Sequence, residues 1–110
     1  MNNIKHIYID GNNIKDTKSF HKKIGDALNA EFFIHGYGYN LDALRDVMSM
    51  GAGLNSVLYW CDHDVSKKYL GDDEFYKIVN VLTYVASESK YKCEVFSQYK
   101  DKFPFKFYLE

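Results

Sequence analysis

The chain has 110 residues, 46% of them hydrophobic and 26% charged, values typical of a globular domain rather than a disordered chain. We therefore expect one domain over residues 1–110, with a net charge of −1 that provides no positive field for direct nucleic-acid binding. The N-terminal segment does not resemble a signal peptide and no apolar run is long enough to span a bilayer, so we expect a cytoplasmic protein without membrane contact.

The first predicted elements are a strand and a helix. Ile4–Ile9 contains β-branched residues and precedes the turn signal at residues 10–13, so it predicts a strand. A helix follows, with Asp16 or Thr17 as its N-cap. Its apolar side chains recur at helical spacing and predict one buried stripe, made of Phe20, Ile24, Ala27 and Leu28.

The middle of the chain predicts a second helix and a strand. Asn40 is the expected N-cap of a helix that runs from about Asn40 to Met50, after a glycine-containing aromatic loop at residues 36–39. Ser56–Trp60 is almost continuously apolar, which predicts a central strand buried on both faces. Cys61–Leu70 predicts a short polar helix or a turn.

The last third predicts a long helix and a closing strand. Asp72 or Asp73 is the expected cap of this helix, whose two apolar stripes predict packing between other elements. Tyr91–Gln98 fits either a strand or a continuation of the helix, and Phe105–Leu109 predicts a strand. The resulting order, βααβααβ, predicts an α/β fold with a small three-stranded parallel sheet packed by helices.

The helix at Asn40–Met50 is the main candidate for a functional surface. Its apolar residues fall on one side, and Asp42, Arg45, Asp46 and Ser49 fall on the other. Asp42 and Asp46 are one turn apart, which brings their carboxylates close together. Taken alone, the pattern favours an ordinary solvated helix face; its functional alternatives are acid–base chemistry, a divalent metal site, or negative charge presented to a basic protein.

Other candidate chemistry is sparse. The Asp62-His63-Asp64 sequence lacks a second cluster with metal-ligand spacing, so we expect no metal site, no cofactor and no catalytic residue. Cys61 and Cys93 are predicted to be reduced thiols, with Cys61 a buried small apolar group rather than a nucleophile.

A longer motif is more informative than the carboxylate spacing. Residues 37–46 read Tyr-Gly-Tyr-Asn-Leu-Asp-Ala-Leu-Arg-Asp, which resembles the barstar signature Tyr-Gly-x-Asn-Leu-Asp-Ala-Leu-x-Asp. The strand Val57-Leu58-Tyr59-Trp60 and the Ser66-Lys67 pair are similar to the corresponding parts of that family. The likeness extends to the Asp10-Gly11 turn, the Phe20-His21 helix and the closing segment 104–110, with an insertion around residues 89–102.

The resemblance implies a barstar-like three-stranded parallel sheet and a function without catalysis. Barstar-like proteins inhibit a ribonuclease inside the bacterium that produces it, so it implies an immunity protein of a toxin–antitoxin pair. The signature helix and its preceding loop would occlude the active site of the toxin. Asp46 matches the central aspartate, which takes the place of the substrate phosphate, and Asp42 matches the supporting carboxylate.

The remaining partner-binding residues follow from the same resemblance. Tyr37 and Asn40 match loop residues that shape the inhibitory surface, and Gly38 and Tyr39 lie between them. Glu88, near the end of the long helix, corresponds to a peripheral acidic residue.

Three departures from barstar bear on the choice of partner. Arg45 stands where barstar itself has an aromatic residue, Gly36 where it has a tyrosine, and Tyr39 where it has a glutamate. Arg45 suggests an acidic residue on the partner. The departures at Arg45 and Gly36 permit a barstar-fold interaction module with a non-ribonuclease partner. A separate alternative is a metal-binding enzyme that uses Asp42 and Asp46 with a nearby His. The sequence leaves the identity of the toxin and the oligomeric state open.

Overall fold

The computed structural model describes residues 3–28, 38 and 40–110. Within these residues the chain forms three strands, β1 (Lys5–Asp10), β2 (Ser56–Cys61) and β3 (Lys106–Leu109). The same residues form four α-helices, α1 (Thr17–Ala27), α2 (Leu41–Val47), α3 (His63–Leu70) and α4 (Asp72–Val95). The predicted element order is confirmed. In the segment Cys61–Leu70, predicted to be a short polar helix or a turn, Cys61 ends β2 and His63–Leu70 forms α3.

The sheet has the order β1-β2-β3, and both neighbouring pairs are parallel. Each parallel pair is connected through helices, as a crossover connection requires. This arrangement confirms the predicted α/β fold with a small three-stranded parallel sheet. It also places β2 at the centre, as its apolar sequence predicted.

One face of the sheet, here called the inner face, forms the core with the helices. Trp60 is fully buried, and its ring lies 5.0 Å from that of Phe20 on α1 and 5.3 Å from that of Phe75 on α4. The Trp60 indole N–H donates to Ser66 Oγ at 3.1 Å, and Ser66 donates to the Gly11 carbonyl at 2.9 Å. This buried chain of hydrogen bonds ties α3 to the turn after β1 and satisfies the indole.

The prediction that β2 is buried on both faces is only partly right. Val57 is buried on the face opposite Leu58 and Trp60, but Tyr59 on that same face is half-buried. A tyrosine can lie there because its ring contacts neighbouring strands while its hydroxyl reaches His6 Nδ1 at 3.1 Å.

The helix ends differ in part from the predictions. Of the two predicted N-caps of α1, Asp16 and Thr17, the structure has Asp16, which forms a capping box with Ser19. The expected cap of α4 was wrong: Gly71, with φ of 86°, occupies that position, and Asp72 and Asp73 lie in the first helical turn. In that turn their negative charges still stabilise the helix, because they lie near the positive end of the helix dipole. Tyr91–Gln98, predicted to be either a strand or a continuation of the helix, continues α4 as far as Val95.

Candidate functional site

The helix α2 begins in a tight turn. The side chain of Asn40 accepts a hydrogen bond from the Ala43 backbone N–H at 2.8 Å, which confirms it as the N-cap. Its amide nitrogen also donates to the Gly38 carbonyl at 3.2 Å. A Cβ on Gly38 would lie 3.2 Å from Asn40 Nδ2 and 3.3 Å from the Ala43 Cβ. The glycine therefore allows the chain to approach its own cap closely.

The two sides of α2 differ as the periodicity predicted. Leu44 and Val47 are buried in the core, and Leu41 packs partly against it. Asp42 and Asp46 are exposed on the opposite side, one helical turn apart. The two carboxylates are thus presented to solvent by a short helix that the core holds in place.

The α-helix itself is shorter than expected. It ends at Val47, and the chain continues through a π-helical turn at Met48–Ala52 that buries Met48 and Ala52. Gly51 in this turn has φ of 110°, a conformation that other residues rarely adopt. Ser49 therefore lies in the π-helical turn instead of the last turn of the α-helix.

Arg45 is joined to α4 within the same chain. Its guanidinium carbon lies 4.2 Å from the centre of the Tyr84 ring, a cation–π contact. A hydrogen bond with Tyr84, together with the charges of Glu88 and Asp46, raises the pKa of Arg45. The arginine was expected to face the partner, and its placement over Tyr84 gives it a role inside the chain as well.

Glu88 belongs to the same group of side chains. Its carboxylate accepts a hydrogen bond from the Tyr84 hydroxyl at 2.9 Å and pairs with Lys92 at 3.3 Å. Partial burial alone would raise the pKa of Glu88, but hydrogen bonds from Tyr84, Ser49 and Lys92 hold it below its usual range. Lys92 also donates to the Ser49 carbonyl at 3.1 Å, which fixes the π-helical turn to α4.

The structure thus brings four of the described candidates together where α2 and the π-helical turn meet α4, namely Arg45, Asp46, Ser49 and Glu88. Asn40 and Asp42 lie at the start of α2. Gly38 adjoins them through Asn40. The predicted contributions of Tyr37 and Tyr39, and the departure at Gly36, lie outside the described residues. Sequence reasoning missed Tyr84 and Lys92; their i, i+4 spacing on either side of Glu88 was the available signal.

In the Asp62-His63-Asp64 sequence, the Asp62 and His63 side chains contact other parts of the chain. The Asp62 carboxylate accepts from Asn12 Nδ2 at 2.8 Å, and His63 Nδ1 lies 2.8 Å from the Glu110 main-chain oxygen. No group of three or more His, Cys, Asp or Glu suited to a metal ion occurs among residues 3–28, 38 and 40–110.

Cys61 and Cys93 are both free and half-buried, and burial raises the pKa of each thiol. Cys61 is thus less buried than predicted, because it ends β2 on the more exposed face of the sheet. None of the helices in the described part of the chain combines the length and apolarity needed to cross a membrane.

Comparison with known proteins identifies a family. Among curated proteins, no sequence matches this chain. The model of one protein family, described as barstar (barnase inhibitor), matches residues 4–110 and so covers α2, the sheet and α4 together. The chain therefore belongs to the barstar family.

Proposed function

We propose that this chain is an immunity protein that inhibits a ribonuclease toxin by inserting the acidic side of α2 into the active site of the toxin. The observation that carries the proposal is the exposure of Asp42 and Asp46 on a helix whose other side is buried. Carboxylates held on such a helix need little reordering on binding, so less conformational entropy is lost. Membership of a family described as barnase inhibitors supports the choice of a ribonuclease.

The electrostatics of a ribonuclease explain why carboxylates suit this task. Such an enzyme concentrates positive charge to hold the phosphates of RNA, and a negative surface of similar shape complements it. In our proposal Asp46 takes the position of a substrate phosphate and Asp42 pairs with further basic residues. Close charge pairs between barnase and barstar, the pair for which this quantity has been measured, couple by about 1.5–7 kcal/mol.

We propose that the other candidate residues contribute less to binding than Asp46 and Asp42. Gly38 and Asn40 shape the start of the binding surface, and we propose that Tyr37 and Tyr39 contribute to it. Ser49 and Glu88 form its edge. Because Glu88 is already paired with Lys92, we expect its contribution to binding to be smaller than that of either aspartate.

Arg45 is assigned a mainly intramolecular role, in contrast to the sequence-based hypothesis of an acidic residue on the partner. Its contact with Tyr84 draws the positive charge toward α4, and the charges of Glu88 and Asp46 act on it there. This reduces the conflict between an arginine on the acidic side and a basic partner. A charge reversal at Arg45 tests the earlier hypothesis. Weaker binding would indicate an acidic residue on the partner opposite Arg45, and unchanged binding would exclude it.

The test is affinity capture from the native cells with the immobilised chain, followed by an RNA-cleavage assay on the captured material. We expect a protein with ribonuclease activity that free chain inhibits. Replacing Asp46 by alanine should weaken the complex by about 2–5 kcal/mol, or roughly 30-fold to several thousand-fold. Asp73→Ala is the matched control, because this exposed carboxylate lies eleven residues before Tyr84, roughly 16 Å along α4.

Two outcomes would contradict the proposal. Capture of a partner without ribonuclease activity, dependent on Asp46, would favour the alternative of a barstar-fold interaction module. Capture that is equally strong with Asp46→Ala and Asp42→Ala would exclude the phosphate-mimic mechanism. The changes at Gly36, Tyr39 and Arg45 relative to barstar are the observations that keep a different partner in consideration.

A further inference from the structure

The face of the sheet opposite the helices, here called the outer face, carries an ordered pattern of side chains. Alternate residues of each strand point to it because side chains in a strand alternate between the two faces. The strand register arranges them in three rows across the sheet. From the start of the strands to their ends, these rows are His6–Val57–Lys106, Tyr8–Tyr59–Tyr108 and Asp10–Cys61–Glu110.

The middle row is a ladder of stacked tyrosines. The ring centres of Tyr8 and Tyr59 are 4.6 Å apart with planes inclined by 11°, and those of Tyr59 and Tyr108 are 5.7 Å apart at 23°. Tyr8 is 66% exposed and Tyr108 49% exposed. Three adjacent aromatic rings at the centre of a sheet face are typical of a contact surface, because tyrosine offers a large rigid area with a polar tip.

The first and third rows of the outer face differ in charge. Lys106 and His6 lie at the start of the strands, and both are exposed. Asp10 and Glu110 lie at the other end, where Glu110 continues the pairing of β3 through its backbone N–H to the Trp60 carbonyl at 3.0 Å. The raised pKa of Cys61 between them, due to burial and to the charges of Glu110, Asp62 and Asp10, agrees with a negative environment at this end.

This pattern is complementary to itself. A twofold axis lying along the tyrosine row turns a second copy over and reverses its strand direction. The tyrosines of the two copies then face each other, Lys106 of one copy faces Glu110 of the other, and His6 faces Asp10. Because the operation is twofold, the Lys106–Glu110 charge pair occurs twice in the same interface, and so does the polar contact between His6 and Asp10.

We propose that two copies of this chain associate through their outer faces as a twofold symmetric homodimer. The two sheets face each other, with the tyrosine rings filling the space between them. Three strands of this length offer roughly 15 by 20 Å of sheet surface per copy. Such an area belongs to the small, weak class of interfaces, so the dimer forms reversibly at high protein concentration.

The dimer leaves the candidate inhibitory surface free. The buried residues of α2 belong to the core formed with the inner face, so Asp42 and Asp46 lie on the helical side of the sheet. The inference is therefore independent of the proposed function, and a monomeric inhibitor would leave that function intact.

The test is sedimentation equilibrium of the full chain from about 10 µM to 1 mM. The average mass of the wild-type chain should rise from 12.9 kDa toward twice that value. Lys106→Glu alone, or Glu110→Lys alone, places like charges opposite each other and should weaken association by about tenfold or more. The double variant Lys106→Glu with Glu110→Lys restores opposite charges and should recover the wild-type association.

Two control variants and one further test variant make the result specific to the outer face. Lys23→Glu changes an exposed lysine on α1 and should leave the dimer unchanged, as should Asp46→Ala. Tyr8→Ser should weaken association, because it removes an exposed ring from the ladder. A chain that stays monomeric at 1 mM overturns the inference and leaves the outer face to a different partner. Self-association that is insensitive to all the charge changes also overturns it, because the contact would then use another surface.

Discussion

The guanidinium of Arg45 stacks on the ring of Tyr84, with 4.2 Å between the guanidinium carbon and the ring centre. Through this contact α2, which carries the candidate inhibitory carboxylates, is joined to α4. Tyr84 continues the connection to Glu88, and Lys92 returns it to the backbone of Ser49. The structure therefore attaches α2 to α4 through Arg45, and the π-helical turn after it through Ser49.

The first prediction concerns this contact. Arg45→Ala and Tyr84→Ala should destabilise the fold by less in combination than the sum of the two single changes, because either one alone already removes the cation–π contact. Urea unfolding of the four proteins in the double-mutant cycle measures the coupling. Arg45→Ala combined with Tyr76→Ala serves as the control and should be additive, since Tyr76 contacts Lys67 instead. Additive effects for Arg45 and Tyr84 would contradict the prediction.

The second prediction concerns the start of α2. Asn40→Ala removes the side-chain acceptor for the Ala43 N–H and should lower the free energy of unfolding by about 1 kcal/mol. Asn40→Asp keeps an acceptor at the cap and should retain most of the stability. Chemical denaturation of both variants gives the comparison. Equal losses for alanine and aspartate would show that the cap contributes little.

The third prediction concerns the buried hydrogen bonds of Ser66. Ser66→Ala leaves the Trp60 indole N–H and the Gly11 carbonyl without this partner, and should cost about 1–3 kcal/mol of stability. Ser87→Ala, at an exposed position of α4, should change stability by no more than about 0.5 kcal/mol. Urea unfolding followed by the fluorescence of Trp60 reports both. A cost for Ser66→Ala as small as that for Ser87→Ala would refute the importance of this connection.

The fourth prediction is a pH dependence at the start of α1. Hydrogen bonds from the side chain and backbone of Ser19 hold the pKa of Asp16 below its usual range. The folded state therefore favours the charged carboxylate, whose stabilising effect is complete above the unfolded pKa of about 3.9 and is lost as the pH falls through the lower folded value.

The measurement is the stability difference between the wild-type chain and Asp16→Ala across this pH range. The difference should be constant between about pH 7 and 5 and should shrink below about pH 4. Asp16→Asn and Asp16→Ala should differ from each other by an amount independent of pH, because neither titrates at this position. A wild-type advantage that persists unchanged to pH 2 would exclude the proposed effect.

The amino-acid sequence by itself determined the element order and the sides of α2. Helical spacing of Leu44 and Val47 placed Asp42 and Asp46 on the exposed side, and Asn40 marked the start of the helix, because these signals depend only on local geometry. The strands were found from their apolar character, with end points within one residue of the structure. The signature around α2 predicted the family, which the match over residues 4–110 confirms.

Only the tertiary structure decided which side chains on separate elements meet. The sequence could not show that Arg45 contacts Tyr84 or that Lys92 holds Ser49, because these pairs are about forty residues apart and depend on how α4 crosses α2. The alignment of Tyr8, Tyr59 and Tyr108 likewise follows from the strand register, which long-range hydrogen bonds set. Local patterns fix which face a residue takes, whereas packing between distant segments fixes what that residue contacts.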